Sequence, residues 1–403
     1  MSSLNADPSP LVADSSQEIP IDQLLRSNGL LFDPFVMLEA SADPHLSSYF
    51  IGHEAFSVAW GDWNSVIFAP AGGGKTALRS RVVQACWVGQ ETNRPFPITY
   101  IPAYTKWGHV TPSREKHIEA ITQSGAAYLL LALTHRPHWF LRLGEIEKSA
   151  IYKALAWNLP GPIQRYLEPC QRTNSLEPLR AKFSPIELPP DPPDSKILSE
   201  FFHSFDASQT NEQRPAALER WNILLDTMLN ILKFPGIYIQ LDGLDATQEM
   251  VDAPQLAAEF FNTLIPFLQD WNTQRIYLKN YIPVETQEPL QKNLPELVQR
   301  SQITTIEWTP PLLAEMVRRR IYVASEGIYG SLGPLSSPDI RDLEIELAKT
   351  VFPLPREMLI LTRRVFAQII ERNGQNPKIT NADIEAAIQW YQGNTPYNAP
   401  QAC

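Results

Sequence analysis

Short apolar runs, each broken by glycine or proline, alternate along most of this chain with longer stretches whose apolar residues recur at helical spacing. Val66-Ile67-Phe68 reads as a first buried strand. Pro97 to Tyr104 is β-rich and bounded by prolines, and Gly236-Ile237-Tyr238-Ile239-Gln240-Leu241 gives a third strand. Arg275 to Pro283 and Gln302 to Trp308 give a fourth and a fifth. Helical spacing restarts at Lys75 and covers Pro254 to Leu268 and Leu290 to Gln299. The alternation predicts an α/β fold with a five-stranded parallel sheet and right-handed crossovers.

Between the second and third strands the chain leaves this pattern over residues 105–235, far longer than an ordinary crossover. Ser113 starts a helix whose continuation, Ile118 to Leu133, is apolar on more than one face and should be buried. Glu145 to Leu159, Pro162 to Tyr166 and Ala216 to Leu232 add helices, and the proline-rich stretch 185–193 reads as an extended spacer. The region is expected to be a large helical insertion. From Pro310 onward the pattern is helical. Leu312 to Ile321 ends in Arg318-Arg319-Arg320, read as a solvated face. Phe352-Pro353-Leu354-Pro355-Arg356 opens a helix to Arg372, and Thr380 or Asn381 caps a last one, Asp383 to Tyr391. Asp33 and Asp43 each precede a proline, which suits helix N-caps. The expected organisation is a polar tail over residues 1–20, a core over 21–309 with the insertion inside it, and a C-terminal helical lid over 310–403.

Candidate chemistry concentrates where the first strand ends. Ala69-Pro70-Ala71-Gly72-Gly73-Gly74 suits neither helix nor strand, and Lys75-Thr76 opens the next helix. Strand, glycine loop, Lys-Thr and helix is the layout of a phosphate-binding P-loop. Glycines let successive N–H groups turn toward an anion, and the helix start adds unpaired N–H groups and a positive dipole end. Ala71, Gly72, Gly73, Gly74, Lys75, Thr76 and Ala77 are the candidate phosphate cradle. Lys75 would reach the β- and γ-phosphates, and the Thr76 hydroxyl would bind Mg²⁺. Ala69 stands where the usual pattern begins with glycine, at a position that turns the chain and holds no phosphate.

The third strand ends in Asp242-Gly243-Leu244-Asp245. A β-strand that delivers an acid beside a P-loop threonine suits Mg²⁺, so Asp242 is the candidate metal residue and Asp245 the candidate for polarising an attacking water. Lys279 or Asn280 would emerge near the γ-phosphate if the fourth strand lies between the first and third. His135-Arg136-Pro137-His138 has no Cys, Asp or Glu within three residues on either side, and reads as a helix end with solvated or capping histidines. Without a guanine-reading motif, ATP is favoured over GTP.

The formal net charge of -10 argues against a broad nucleic-acid-binding face. Cys86, Cys170 and Cys403 lie far apart with no metal-ligand spacing, which suits reduced thiols in a cytoplasm. The longest apolar run, Ala126 to Leu133, is too short for a membrane span, and the N-terminus carries no signal pattern.

Taken together, APAGGGKT, IYIQLDGLD, a strand bearing Lys279-Asn280, and PLPREML resemble the additional-strand P-loop ATPases. Within them the chain looks like the STAND/NACHT and origin-recognition-like branch of AAA-related ATPases, and it is similar to uncharacterised bacterial P-loop ATPases, several of which sit in defence or signalling systems. The resemblance implies strand order 5-1-4-3-2, ATP and Mg²⁺ as ligands, and catalysis by Asp245 and Lys75. It also implies a sensor at Lys279 or Asn280 and a γ-phosphate contact from Arg356, which matches the Pro-Arg signature of such lids. Ala246 stands where the family often has glutamate. The expected function is an ATP-hydrolysing conformational switch that needs a protein partner or self-association for its output. The competing expectations are a nucleotide-binding scaffold with little turnover, a DNA-loading ATPase and a small-molecule kinase. The acidic balance and a tail after Arg372 too short for a full winged helix argue against DNA loading. The Asp-Gly-Leu-Asp stretch and the lid argue against the kinase.

Overall fold

The β-prone runs form five strands: β1 (Asn64–Ala69), β2 (Phe96–Tyr100), β3 (Ile237–Leu241), β4 (Ile276–Pro283) and β5 (Ser301–Thr305). All neighbours are parallel, and the order is β2-β3-β4-β1-β5. This is the order 5-1-4-3-2 read from the opposite edge. Helices on the faces of a parallel sheet bury both sides of its strands. Accordingly every residue of β1, β2 and β3 is buried, whereas the edge strand β5 is partly exposed.

A computed structural model describes residues 15–102, 113–183, 187, 193–207, 213–245, 253–372 and 377–394. The chain divides into two compact units. The sheet unit comprises Ala40–Ala42 and Gly52–Ile306. Between β2 and β3 it carries the helices Arg114–His135, Glu145–Asn158, Gln164–Thr173, Glu177–Phe183, Ser195–Ala207 and Ala217–Asp226. Ser113 caps the first by accepting from Lys116 N, and the helix is buried from Gly125 through His135, as its all-round apolar pattern predicts. The Ala217–Asp226 helix passes into a π-turn over Thr227–Ile231 rather than continuing as one α-helix to Leu232. Of the proline-rich stretch 185–193, only Glu187 and Pro193 fall within the described residues.

The second unit contains Met1–Glu39, Asp43–Ile51 and Glu307–Cys403. The C-terminal part begins at Glu307, beside the expected split, but the N-terminal segment expected in the core belongs with the C-terminal helices. Ile21, Leu25, Leu30 and Phe35 share a core with Leu313, Val317, Met358 and Val365. A helix, Ser15–Ser27, begins inside the expected tail. Neither Asp33 nor Asp43 starts a helix. Each carboxylate instead accepts from the backbone N–H two residues on, at Phe35 (2.9 Å) and His45 (3.0 Å), closing a turn around the proline. The helices Pro310–Ala324, Leu343–Val351, Pro355–Glu371 and Asn381–Asn394 complete this unit.

The arginine triplet is not uniformly solvated. Arg320 is buried, pairs with Asp43 at 3.3 Å, donates to Pro34 O at 2.6 Å and lies over the Tyr49 ring. Its partners come from the N-terminal segment, so their absence from the local sequence hid the pairing. Among the described residues no helix is long and apolar enough to cross a membrane.

Candidate functional site

The candidate site lies in the sheet unit, where β1 and β3 end. After Ala69 the backbone turns through Gly72 (φ 73°) and Gly74 (φ 97°), left-handed conformations that favour glycine. Gly73 is needed for a different reason. A Cβ there would meet Pro70 O at 2.9 Å and Ala69 Cβ at 3.0 Å, so the loop closes only on a residue without a side chain. Gly74 leads directly into the helix Lys75–Cys86. The first N–H groups of that helix have no partner within it, and its dipole places positive charge at this end.

Lys75 is buried, and its ammonium donates to Ala69 O and Pro70 O, each at 3.0 Å, and pairs with Asp245 at 2.9 Å. Thr76 Oγ1 donates to Asp242 Oδ2 at 2.9 Å. Asp242 follows the last residue of β3, and its second oxygen accepts from Gly243 N at 2.8 Å. The fold therefore brings Lys75, Thr76, Asp242 and Asp245 together from the ends of β1 and β3, which flank β4 in the sheet. Ala71 is exposed, and Gly72, Gly74, Thr76 and Ala77 are half-buried around them. A hydroxyl and a carboxylate in contact are both hard oxygen donors, a set that suits Mg²⁺, an ion that keeps several of its own waters. Among the described residues no three His, Cys, Asp or Glu side chains gather as a metal cluster.

Asn280 and Lys279 lie away from the glycine turn. Asn280 is fully buried at mid-strand, in register with Val66 and Leu241, and donates to Ser65 O at 3.0 Å. The glycine loop follows Ala69, whose partner on β4 is Pro283, so Asn280 stops about 10 Å short of that end. The strand runs three residues further than the sensor expectation requires. Lys279 points to the opposite end, donating to Gly61 O at 2.7 Å and Trp63 O at 2.6 Å beneath the Tyr238 ring. Burial there lowers its pKa to about 7. Arg356 belongs to the other compact unit, exposed in the first turn of Pro355–Glu371.

A buried charge network that sequence reasoning missed stands behind Asp242. Arg79, one helical turn after Lys75, is almost wholly buried. Its Nε donates to Asp242 Oδ2 at 2.9 Å, and a terminal nitrogen contacts Glu187 Oε1 at 2.7 Å and Thr99 Oγ1 at 3.1 Å. Burial alone would lower the arginine pKa, but Glu187 and Asp242 outweigh it and hold the charge firmly in place. Glu187 also accepts from Ser80 Oγ at 2.7 Å, and its backbone carbonyl accepts from Trp87 Nε1 at 3.1 Å. The Tyr128 hydroxyl bridges Thr99 Oγ1 (2.7 Å) and Glu187 Oε2 (3.0 Å). The available signal was the i, i+4 spacing of Lys75 and Arg79. For Glu187 no local signal existed.

His135 and His138 have separate partners. His135 is buried in the last turn of its helix, with Nδ1 at 2.8 Å from Leu131 O and Arg180 against Nε2, so of the two expected forms it is the capping one and not the solvated one. His138 contacts Gln90 O at 3.1 Å.

Comparison with protein-family models, with curated proteins and with solved structures finds no match to this chain.

Proposed function

We propose that this chain binds ATP with Mg²⁺ and hydrolyses it as a conformational switch. The observation that carries the reading is the meeting of Lys75, Thr76, Asp242 and Asp245 at a glycine turn that opens a helix. Residues 71–77 supply N–H groups for the phosphates, and Lys75 supplies the fixed positive charge. Thr76 and Asp242 hold Mg²⁺, which neutralises charge on the phosphate oxygens.

Asp245 has two roles in this reading. It pairs with Lys75 at 2.9 Å. A γ-phosphate competes with it for the same ammonium and so frees the carboxylate. Asp245 then accepts a proton from a water whose oxygen attacks the γ-phosphorus, while the bond to the bridging oxygen breaks and ADP leaves with its electron pair. The output passes to a protein partner or to a second copy of the chain. Signalling or defence is the setting that the sequence resemblance suggests.

The second reading is a nucleotide-binding scaffold with little turnover. The Lys75–Asp245 pair favours it, because a carboxylate engaged by an ammonium is not free to accept from a water. Phosphate release over hours separates the two. The switch reading expects steady turnover that falls at least about a hundredfold in Asp245→Asn, the range of a lost general base. Equal, near-zero release by both proteins, with ATP still bound, would overturn it in favour of the scaffold.

A further inference from the structure

Asp242 does not stand alone with Thr76. Its Oδ2 atom accepts from both Thr76 Oγ1 and Arg79 Nε, each at 2.9 Å. An arginine this close orients the carboxylate, but it also drains its negative charge and opposes any cation placed on it. The opposition is limited because Arg79 is shared. Glu187 Oε1 takes it at 2.7 Å, closer than Asp242 does. Glu187 is in turn fixed by Ser80, Tyr128 and, through its carbonyl, Trp87. Arg79 and Glu187 side chains are both largely buried, so solvent does little to screen this exchange. Arg79 therefore divides its charge between Glu187 and Asp242.

We infer that Glu187 is a positioning residue for Asp242: acting through Arg79, it sets how tightly the site takes Mg²⁺. This rests on the nucleotide reading above. Glu187 touches neither nucleotide nor metal in this account. It lies in the insertion between the helices Glu177–Phe183 and Ser195–Ala207, so the insertion contributes to the site through this side chain. When its charge is removed, Arg79 turns wholly to Asp242 and the metal is held more weakly. Binding of nucleotide without metal, which uses residues 71–77, is unaffected.

The test is a Mg²⁺ titration of fluorescent ATP-analogue binding to the full chain, with metal-free binding measured alongside. For Glu187→Gln the half-saturating Mg²⁺ concentration should rise about tenfold or more, as for other outer partners of a metal ligand. Metal-free affinity should stay at the wild-type value. Glu187→Asp keeps the charge but draws it back by one methylene, so it should fall between the two, and it decides the matter if Glu187→Gln does not fold. A wild-type Mg²⁺ dependence in either folded variant would overturn the inference, as would a parallel loss of metal-free binding, the mark of a merely structural role. Failure of the wild-type protein to bind nucleotide would overturn the nucleotide reading itself and this inference with it.

Discussion

Replacing Arg79 by methionine removes the cation that two buried acids share. The wild-type side chain is 1% exposed and pairs with Asp242 at 2.9 Å and Glu187 at 2.7 Å. Methionine fills much of the volume, so the cost is chiefly electrostatic. Two carboxylates would face each other with no counter-charge and little access to water. Breaking a buried pair from one side costs roughly 3–5 kcal/mol, against a total stability of about 5–15 kcal/mol for a domain. Urea unfolding followed by tryptophan fluorescence measures the loss. The predicted loss is about 3–5 kcal/mol. Adding Glu187→Gln to Arg79→Met should recover about 1–3 kcal/mol relative to the sum of the single effects. A loss below about 1 kcal/mol, or strict additivity, would refute the shared-cation argument.

Two other predictions use buried polar groups. Burial lowers the pKa of His117 and of His135 to about 4, against about 6.5 in an unfolded chain. Between those values the unfolded chain takes up protons that the folded chain refuses, so stability should fall as pH drops from 6.5 toward 4, by at most about 3 kcal/mol per histidine. Urea unfolding at pH 7 and pH 4.5 should show a smaller drop in His117→Gln than in the wild type, and equal drops would contradict the assignment. Asn280→Ala should cost about 1 kcal/mol through the lost hydrogen bond to Ser65 while leaving ATP affinity unchanged; a tenfold loss of affinity would mean that the side chain reaches the phosphates after all.

The strands and the glycine loop were legible because their signals are local. Val66-Ile67-Phe68 followed by Gly-Gly-Gly-Lys-Thr can form little else, and Asp242 and Asp245 follow a β-prone run directly. The misplaced residues depend on distant partners or on register. Asn280 was set too near the strand end because strand termini are blurred in sequence, although Tyr281-Ile282 after it continue the apolar run. The N-terminal segment shows Ile21 and Leu25 one helical turn apart, yet nothing near them says that the C-terminal helices supply the other side of that core. Arg320 with Asp43 and Arg79 with Glu187 are pairs of the same kind. Each is a charge that reads as solvated until the fold buries its partner beside it.

The central claim is that the turn at residues 69–77 holds ATP through Lys75. Calorimetric titration of ATP with Mg²⁺ into the full chain, beside Lys75→Ala, tests it most directly. The account predicts micromolar binding by the wild-type protein, about -8 kcal/mol, that is lost in the variant, with GTP bound more weakly. Equal ATP binding by the two proteins, or none by the wild type, would contradict it.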